Sequence, residues 1–95
     1  MSKGIKIFAG QASKVLAEKI ATSYGVALGD VKKTVFSDGE FQVSFEETVR
    51  GQDVFIVQST MPPSDNLFEM LLMVDAAKRA SARKIIVVIP YFGFA

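Results

Sequence analysis

The stretch Val54-Phe55-Ile56-Val57-Gln58-Ser59-Thr60 joins four apolar residues to three polar ones. An unbroken apolar run of strand length is the pattern of a strand covered on both faces, as in a parallel sheet. Such a strand needs helices packed on it, so the flanking sequence is expected to supply them.

Downstream, Met61-Pro62-Pro63-Ser64 breaks the chain, and Asp65 or Asn66 is a cap for a long helix reaching about residue 80. Leu67, Met70, Leu71, Met73, Val74 and Ala77 form a broad apolar side. The narrow polar side holds Glu69, Asp75 and Arg79, interrupted by Phe68 and Leu72. A helix with so little polar surface is expected to be covered on two sides, and Phe68 and Leu72 to be buried against further protein. Residues 84–89 form a second buried strand, ended by Pro90.

Upstream, Ile5-Lys6-Ile7-Phe8-Ala9 is a β-rich run closed by Gly10. Ser13 is placed to cap the next helix, Leu16, Ala17, Ile20, Ala21 and Tyr24 recur at helical spacing, and Gly25 is a stop signal. After a turn at Gly29-Asp30, residues 33–36 and 41–45 read as two strands. In the second, Phe41, Val43 and Phe45 alternate with Gln42, Ser44 and Glu46, and Asp38-Gly39 between the strands is a hairpin signal. Arg50-Gly51-Gln52 makes a further turn.

The order β-α-β-β-β-α-β predicts an α/β fold with a mixed, mostly parallel sheet, flanking helices and one β-hairpin. Residues 1–95 are expected to form one incomplete domain with no second domain, because two helices cover little of a sheet with two buried faces. The other reading is a small two-layer domain with one wet face.

Composition removes several function classes. The 95 residues are 49% hydrophobic and 22% charged, with a net charge of +1 and no basic run. This pattern has no electrostatic footprint for nucleic acid or an anionic membrane. Cysteine and histidine are absent, which excludes disulfides, thiolate metal sites and imidazole catalysis. No signal peptide opens the chain, and no apolar run reaches the ~18 residues of a membrane span. A cytoplasmic protein is expected.

Three places can carry chemistry. Gln58-Ser59-Thr60 lies where ligands meet open α/β sheets, beyond the carboxyl end of a strand. Its hydroxyls and the following helix N–H groups can hold an anion, although a polar loop with an N-cap is the first reading. Residues 91–95 lie beyond another strand end, where a functional loop would begin. At Phe36-Ser37-Asp38-Gly39-Glu40, two carboxylates flank a tight turn beside an aromatic ring. They can accept hydrogen bonds from an exocyclic amine or a ribose hydroxyl while Phe36 stacks. By itself this stretch reads first as an ordinary hairpin with a solvated Glu. Arg50 reads as part of a turn, with phosphate binding as the second possibility, and Asp75 and Arg79 as an i,i+4 pair.

The hairpin motif Phe36-Ser37-Asp38-Gly39-Glu40 is one of several that coincide. Lys6-Ile7-Phe8-Ala9-Gly10 precedes it, and Val49-Arg50-Gly51-Gln52-Asp53 follows, running into Val54-Phe55-Ile56-Val57-Gln58-Ser59-Thr60. Asp65-Asn66-Leu67, Lys78-Arg79-Ala80-Ser81-Ala82 and Ile89-Pro90-Tyr91-Phe92-Gly93-Phe94-Ala95 complete the series. In this order they resemble the ribose-phosphate pyrophosphokinases along essentially the whole chain.

The resemblance implies the first part of an N-terminal domain of type I phosphoribosyltransferase-like fold. It implies an enzyme that transfers the diphosphoryl group of ATP to the 1-hydroxyl of ribose 5-phosphate, with Mg²⁺, in a homo-oligomer that is a hexamer in the family. It gives Phe36, Asp38, Gly39 and Glu40 to ATP binding: Phe36 stacks on adenine, Asp38 and Glu40 bond its polar edge, and Gly39 shapes the turn. The family's hairpin serves a neighbouring subunit's site. Thr48, Arg50 and Ser81 map to an allosteric phosphate or ADP site. The family's Arg-Gln-Asp-Arg segment, metal-binding segment and catalytic loops lie outside these 95 residues. The resemblance therefore places no catalytic residue or metal ligand in this chain, and the chain alone is expected not to turn over. A non-catalytic scaffold associated with such synthetases is the alternative, and an independent nucleotide-binding module a third reading.

Overall fold

The computed structural model describes residues 4–60 and 65–91. The chain break at residues 61–64, with the cap position before the second helix, lies outside the described residues, as do residues 92–95 of the final loop.

Strand β1 (Ile5–Ala9) leads through a 3₁₀ turn (Gln11–Ser13) into helix α1 (Lys14–Tyr24). Strands β2 (Val31–Val35), β3 (Phe41–Phe45) and β4 (Asp53–Val57), helix α2 (Asp65–Arg79) and strand β5 (Lys84–Val88) follow. Strands β1, β4 and β5 form a parallel sheet in the order β1-β4-β5, with Ile7 opposite Phe55 and Val54 opposite Ile85. Strands β2 and β3 pair antiparallel, with Val31 opposite Phe45 and Val35 opposite Phe41. The expected parallel sheet, hairpin and flanking helices are all present. The mixed character is carried by two sheets, since the hairpin makes no strand ladder with the parallel three.

The apolar run in β4 is buried as its pattern requires. Val54 and Ile56 join Phe8, Val49, Met70, Met73 and Ala77 in the core beneath α2 and the hairpin. Val57 joins Ile7, Ala17 and Ala21 beneath α1, with Phe55 packed against them. The sheet is thus covered on both sides, by α1 on one and by α2 and the hairpin on the other. Strand β5 is only half-buried from Ile85 to Val88 because it is a sheet edge. It stops at Val88, one residue before the expected limit.

Other details differ from the sequence reading. The first hairpin strand starts and ends earlier than residues 33–36, because pairing with Phe41 and Phe45 uses Val35 and Val31. Phe36 becomes the first turn residue. Ser13 precedes α1 but makes no side-chain cap bond; its Oγ accepts the Ser59 N–H at 2.9 Å. Gly25 ends α1 in the left-handed conformation (φ 84°), as its position predicts.

The polar side of α2 also needs correction. Glu69 is 3% exposed, whereas Leu71, placed on the covered side, is 49% exposed. Asp75 and Arg79 form the expected i,i+4 pair at 3.0 Å. Leu72 is half-buried and Phe68 is 52% exposed in the single chain.

Candidate functional site

The hairpin tip is built by three local hydrogen bonds. Phe36 N–H donates to Glu40 O at 2.7 Å, and Gly39 N–H donates to Phe36 O at 3.0 Å. Glu40 N–H donates to Asp38 Oδ1 at 3.0 Å. Gly39 has φ 90°, which a side chain with a Cβ rarely adopts. These bonds hold Phe36, Asp38, Gly39 and Glu40 together at one exposed turn. Phe36 is 47% exposed, so an aromatic face is open to a ligand. A planar base stacked there would stand beside two acceptor carboxylates.

The opposite end of the hairpin is a second polar cluster, about 17 Å away at the usual rise of a five-residue strand. Arg50 N–H donates to Thr48 Oγ1 at 3.4 Å. Gly51 N–H donates to Ser81 O at 3.0 Å, setting the Thr48–Arg50 turn beside the turn at Ser81. Ser81 has φ 64°, an uncommon backbone state for a non-glycine residue. Thr48 borders a groove of ≈ 570 Å³ between β3 and α2, also lined by Gln42, Ser44, Leu72, Asp75 and Arg79. The structure therefore brings Thr48, Arg50 and Ser81 to one edge and keeps them apart from the tip.

The third place, Gln58-Ser59-Thr60, is fully engaged in the interior. All three residues are buried. Gln58 Nε2 donates to Asn66 O at 3.2 Å and to Glu69 Oε1 at 2.9 Å, while Gln58 Oε1 accepts the Ala12 N–H at 3.2 Å. Glu69 Oε1 also accepts the Gln11 N–H at 3.0 Å. This network ties the start of α2 to the β1–α1 turn. Ser59 is bonded to Ser13, and Thr60 N–H donates to Tyr91 O at 2.9 Å. The hydroxyl-rich stretch is a structural lock, and Glu69, read from sequence as a surface residue, is its acid.

Sequence reasoning also passed over Lys6 and Glu47. Lys6 Nζ donates to Glu47 Oε1 at 2.6 Å, and Asp30 N–H donates to Glu47 Oε2 at 2.8 Å. The Lys6 bond, then the Asp30 N–H, hold the Glu47 carboxyl below its ordinary value against an opposing push from partial burial. Near the starts of β4 and β5, Arg83 binds Asp53 through two bonds of 2.8 and 2.7 Å, lowering the Asp53 pKa and raising its own.

A family model of the N-terminal domain of ribose phosphate pyrophosphokinase matches residues 5–95. The chain belongs to this family. A ribose-phosphate pyrophosphokinase of Porphyromonas gingivalis is 62% identical over 89 residues, covering 94% of this chain and 28% of that protein. One of Chlorobaculum tepidum is 54% identical over 95 residues, covering 100% of this chain and 29% of that protein. The crystal structure of phosphoribosylpyrophosphate synthetase from Mycobacterium smegmatis superposes with a TM-score of 0.88 at 38% identity, over 96% of this chain and 31% of that one. A purine phosphoribosyltransferase from Pyrococcus horikoshii superposes with a TM-score of 0.63 at 16% identity, over 97% of this chain and 66% of that one, which shows the shared fold alone. The ribose-phosphate pyrophosphokinase domain thus spans less than a third of the length of these synthetase relatives.

Proposed function

We propose that this chain is the N-terminal part of an enzyme transferring the β,γ-diphosphoryl group of ATP to the 1-hydroxyl of ribose 5-phosphate. The hydroxyl oxygen bonds to the β-phosphorus, the bond to the α,β-bridging oxygen breaks, and AMP leaves with that oxygen. Phosphoribosyl pyrophosphate is the other product. The hairpin tip binds the nucleotide: Phe36 stacks on adenine, Asp38 and Glu40 accept hydrogen bonds from it, and Gly39 permits the turn. The observation that carries this reading is the exposed Phe36 on a turn whose own hydrogen bonds hold Phe36, Asp38 and Glu40 close together in the chain.

The other roles follow the family. Among the described residues, no three acidic side chains converge on a common point that fits a metal ion. By the family resemblance, Mg²⁺ comes with ATP and is held by parts of the protein outside this chain, and no step depends on it here. Thr48, Arg50 and Ser81 form an effector site for phosphate or ADP. The protein works in the cytoplasm as a homo-oligomer, a hexamer. The 95 residues alone do not turn over.

The test is ATP dependence in the full-length enzyme. Base–aromatic stacking contributes about 1–3 kcal/mol, so Phe36→Ala is expected to raise the KM for ATP about tenfold, with the KM for ribose 5-phosphate unchanged. An unchanged KM for ATP removes the hairpin from the nucleotide site. AMP release by the isolated 95 residues, with ATP, Mg²⁺ and ribose 5-phosphate, would refute their inactivity.

A further inference from the structure

The hairpin is joined to the parallel sheet by no strand ladder. Its aim is therefore set by the packing of β3 against α2 and the core and by the bonds at its base. One grip is apolar: the Phe45 ring packs tilted against the Phe8 ring, with centroids 4.4 Å apart, and Val31 and Val43 join the same core beside α2. Such a contact resists separation but is tolerant of rocking, because dispersion and burial are weakly directional. The other grip is polar and directional, and it includes the Gly29 N–H, which donates to Ile7 O of β1 at 2.8 Å just before the hairpin begins. Glu47 lies just past the end of β3, and its carboxylate spans two other segments. One oxygen takes the Lys6 ammonium from β1, and the second takes the backbone N–H of Asp30, which enters β2. Glu46 N–H donates to Asp30 O at 2.9 Å, closing the same junction through the backbone. Both ends of the hairpin and the edge strand of the parallel sheet therefore meet at one side chain.

We infer that Lys6 and Glu47 are positioning residues for nucleotide binding, a clamp that fixes the direction of the hairpin tip relative to the parallel sheet. This rests on the reading of the tip as the adenine contact. Both residues lie at the base of the hairpin, away from the tip. A tip about 17 Å from its base, at the usual strand rise, moves by about 3 Å when the base rocks by ten degrees. That exceeds the placement of about 0.5 Å that binding constellations require. The clamp is expected to act on ATP affinity, because the adenine contact lies at the far end of the lever.

The experiment compares Glu47→Gln, Lys6→Met and the charge-exchanged pair K6E/E47K in the full-length enzyme. Each single variant is expected to raise the KM for ATP three- to tenfold, with kcat altered less than twofold and the KM for ribose 5-phosphate unchanged. The exchanged pair remakes the ion pair but not the Asp30 bond, because an ammonium cannot accept an N–H, so a partial recovery of the KM for ATP relative to the single variants is expected. Lys6→Met keeps the aliphatic stem and serves as the folded variant should Glu47→Gln not fold. Phe36→Ala is measured alongside. If it raises the KM for ATP while the clamp variants lower only the unfolding temperature, the pair is structural and the inference is overturned. If Phe36→Ala also leaves that KM unchanged, the reading of the tip has failed, and the clamp with it.

Discussion

The carboxamide of Gln58 occupies the space above Gly10, so that a Cβ on Gly10 would stand 2.2 Å from Gln58 Cδ. The glycine is required by space and not by backbone torsion, since its φ is −74°. The amide cannot turn aside easily, because Ala12 N–H, Asn66 O and Glu69 Oε1 all hold it. Gly10→Ala is expected to destabilise the fold by about 1–3 kcal/mol, the usual range for overpacking. Denaturant unfolding measures this. Gln58→Ala opens the same space, so the double variant is expected to lose less than the sum of the single losses. Strict additivity would show that the two side chains do not compete for this volume.

Glu69 makes a related prediction with the opposite chemistry. Its Oε1 is the acceptor for Gln11 N–H and for Gln58 Nε2. Glu69→Ala strands both donors in or near the interior, at about 1–3 kcal/mol for each unsatisfied group. A total loss of about 2–6 kcal/mol is expected. Glu69→Gln keeps a carbonyl oxygen at the same place and should lose clearly less. Equal losses from the two variants would show that the charge, and not the acceptor geometry, is what the network needs.

These two residues mark where the sequence was legible and where it was not. The run Val54-Phe55-Ile56-Val57 announced a strand buried on both faces, because that environment imposes itself on every residue of the strand. The alternation of Phe41, Val43 and Phe45 did the same for β3, and Asp38-Gly39 for the turn. Helical spacing gave the right helices but the wrong role for Glu69. Periodicity records which side a residue faces, and a buried acid on an apolar side is visible only once Gln58 and the β1–α1 turn are brought to it. Lys6 and Glu47 are 41 positions apart, and nothing in either neighbourhood signals the other. The tip was legible as a hairpin, but its ligand came from resemblance, since two exposed acids and a ring do not by themselves select adenine.

The clamp has a pH signature. Lys6 holds the folded-state pKa of Glu47 below its ordinary value of 4.5. A depressed carboxyl contributes stability that is fully present above that ordinary value and is lost as pH falls from there through the folded-state pKa. Lys6→Met removes the largest cause of the depression. The Glu47 carboxyl is then expected to titrate at higher pH, and part of the stability loss on acidification below 4.5 should vanish. A carboxyl-carbon NMR titration of both proteins reads the shift directly. No upward movement in the variant would mean that the Asp30 N–H, and not the ammonium, governs this group.

Phe68 and Leu71 stand exposed on α2, at 52% and 49%, beside the half-buried Leu72. Large apolar side chains so placed are expected to be covered by further protein in a protein of the length of the curated relatives, which are more than three times longer than this chain. Burial of such a side chain contributes about 1.5–3 kcal/mol. Phe68→Ser is therefore expected to destabilise the full-length assembled protein by about 1–2 kcal/mol, allowing for the surface already covered within this chain. Thermal unfolding at several protein concentrations checks this, because a loss at a contact between subunits grows on dilution whereas a loss within one subunit does not. No loss at any concentration would leave Phe68 in open water and end the expectation of cover over this helix.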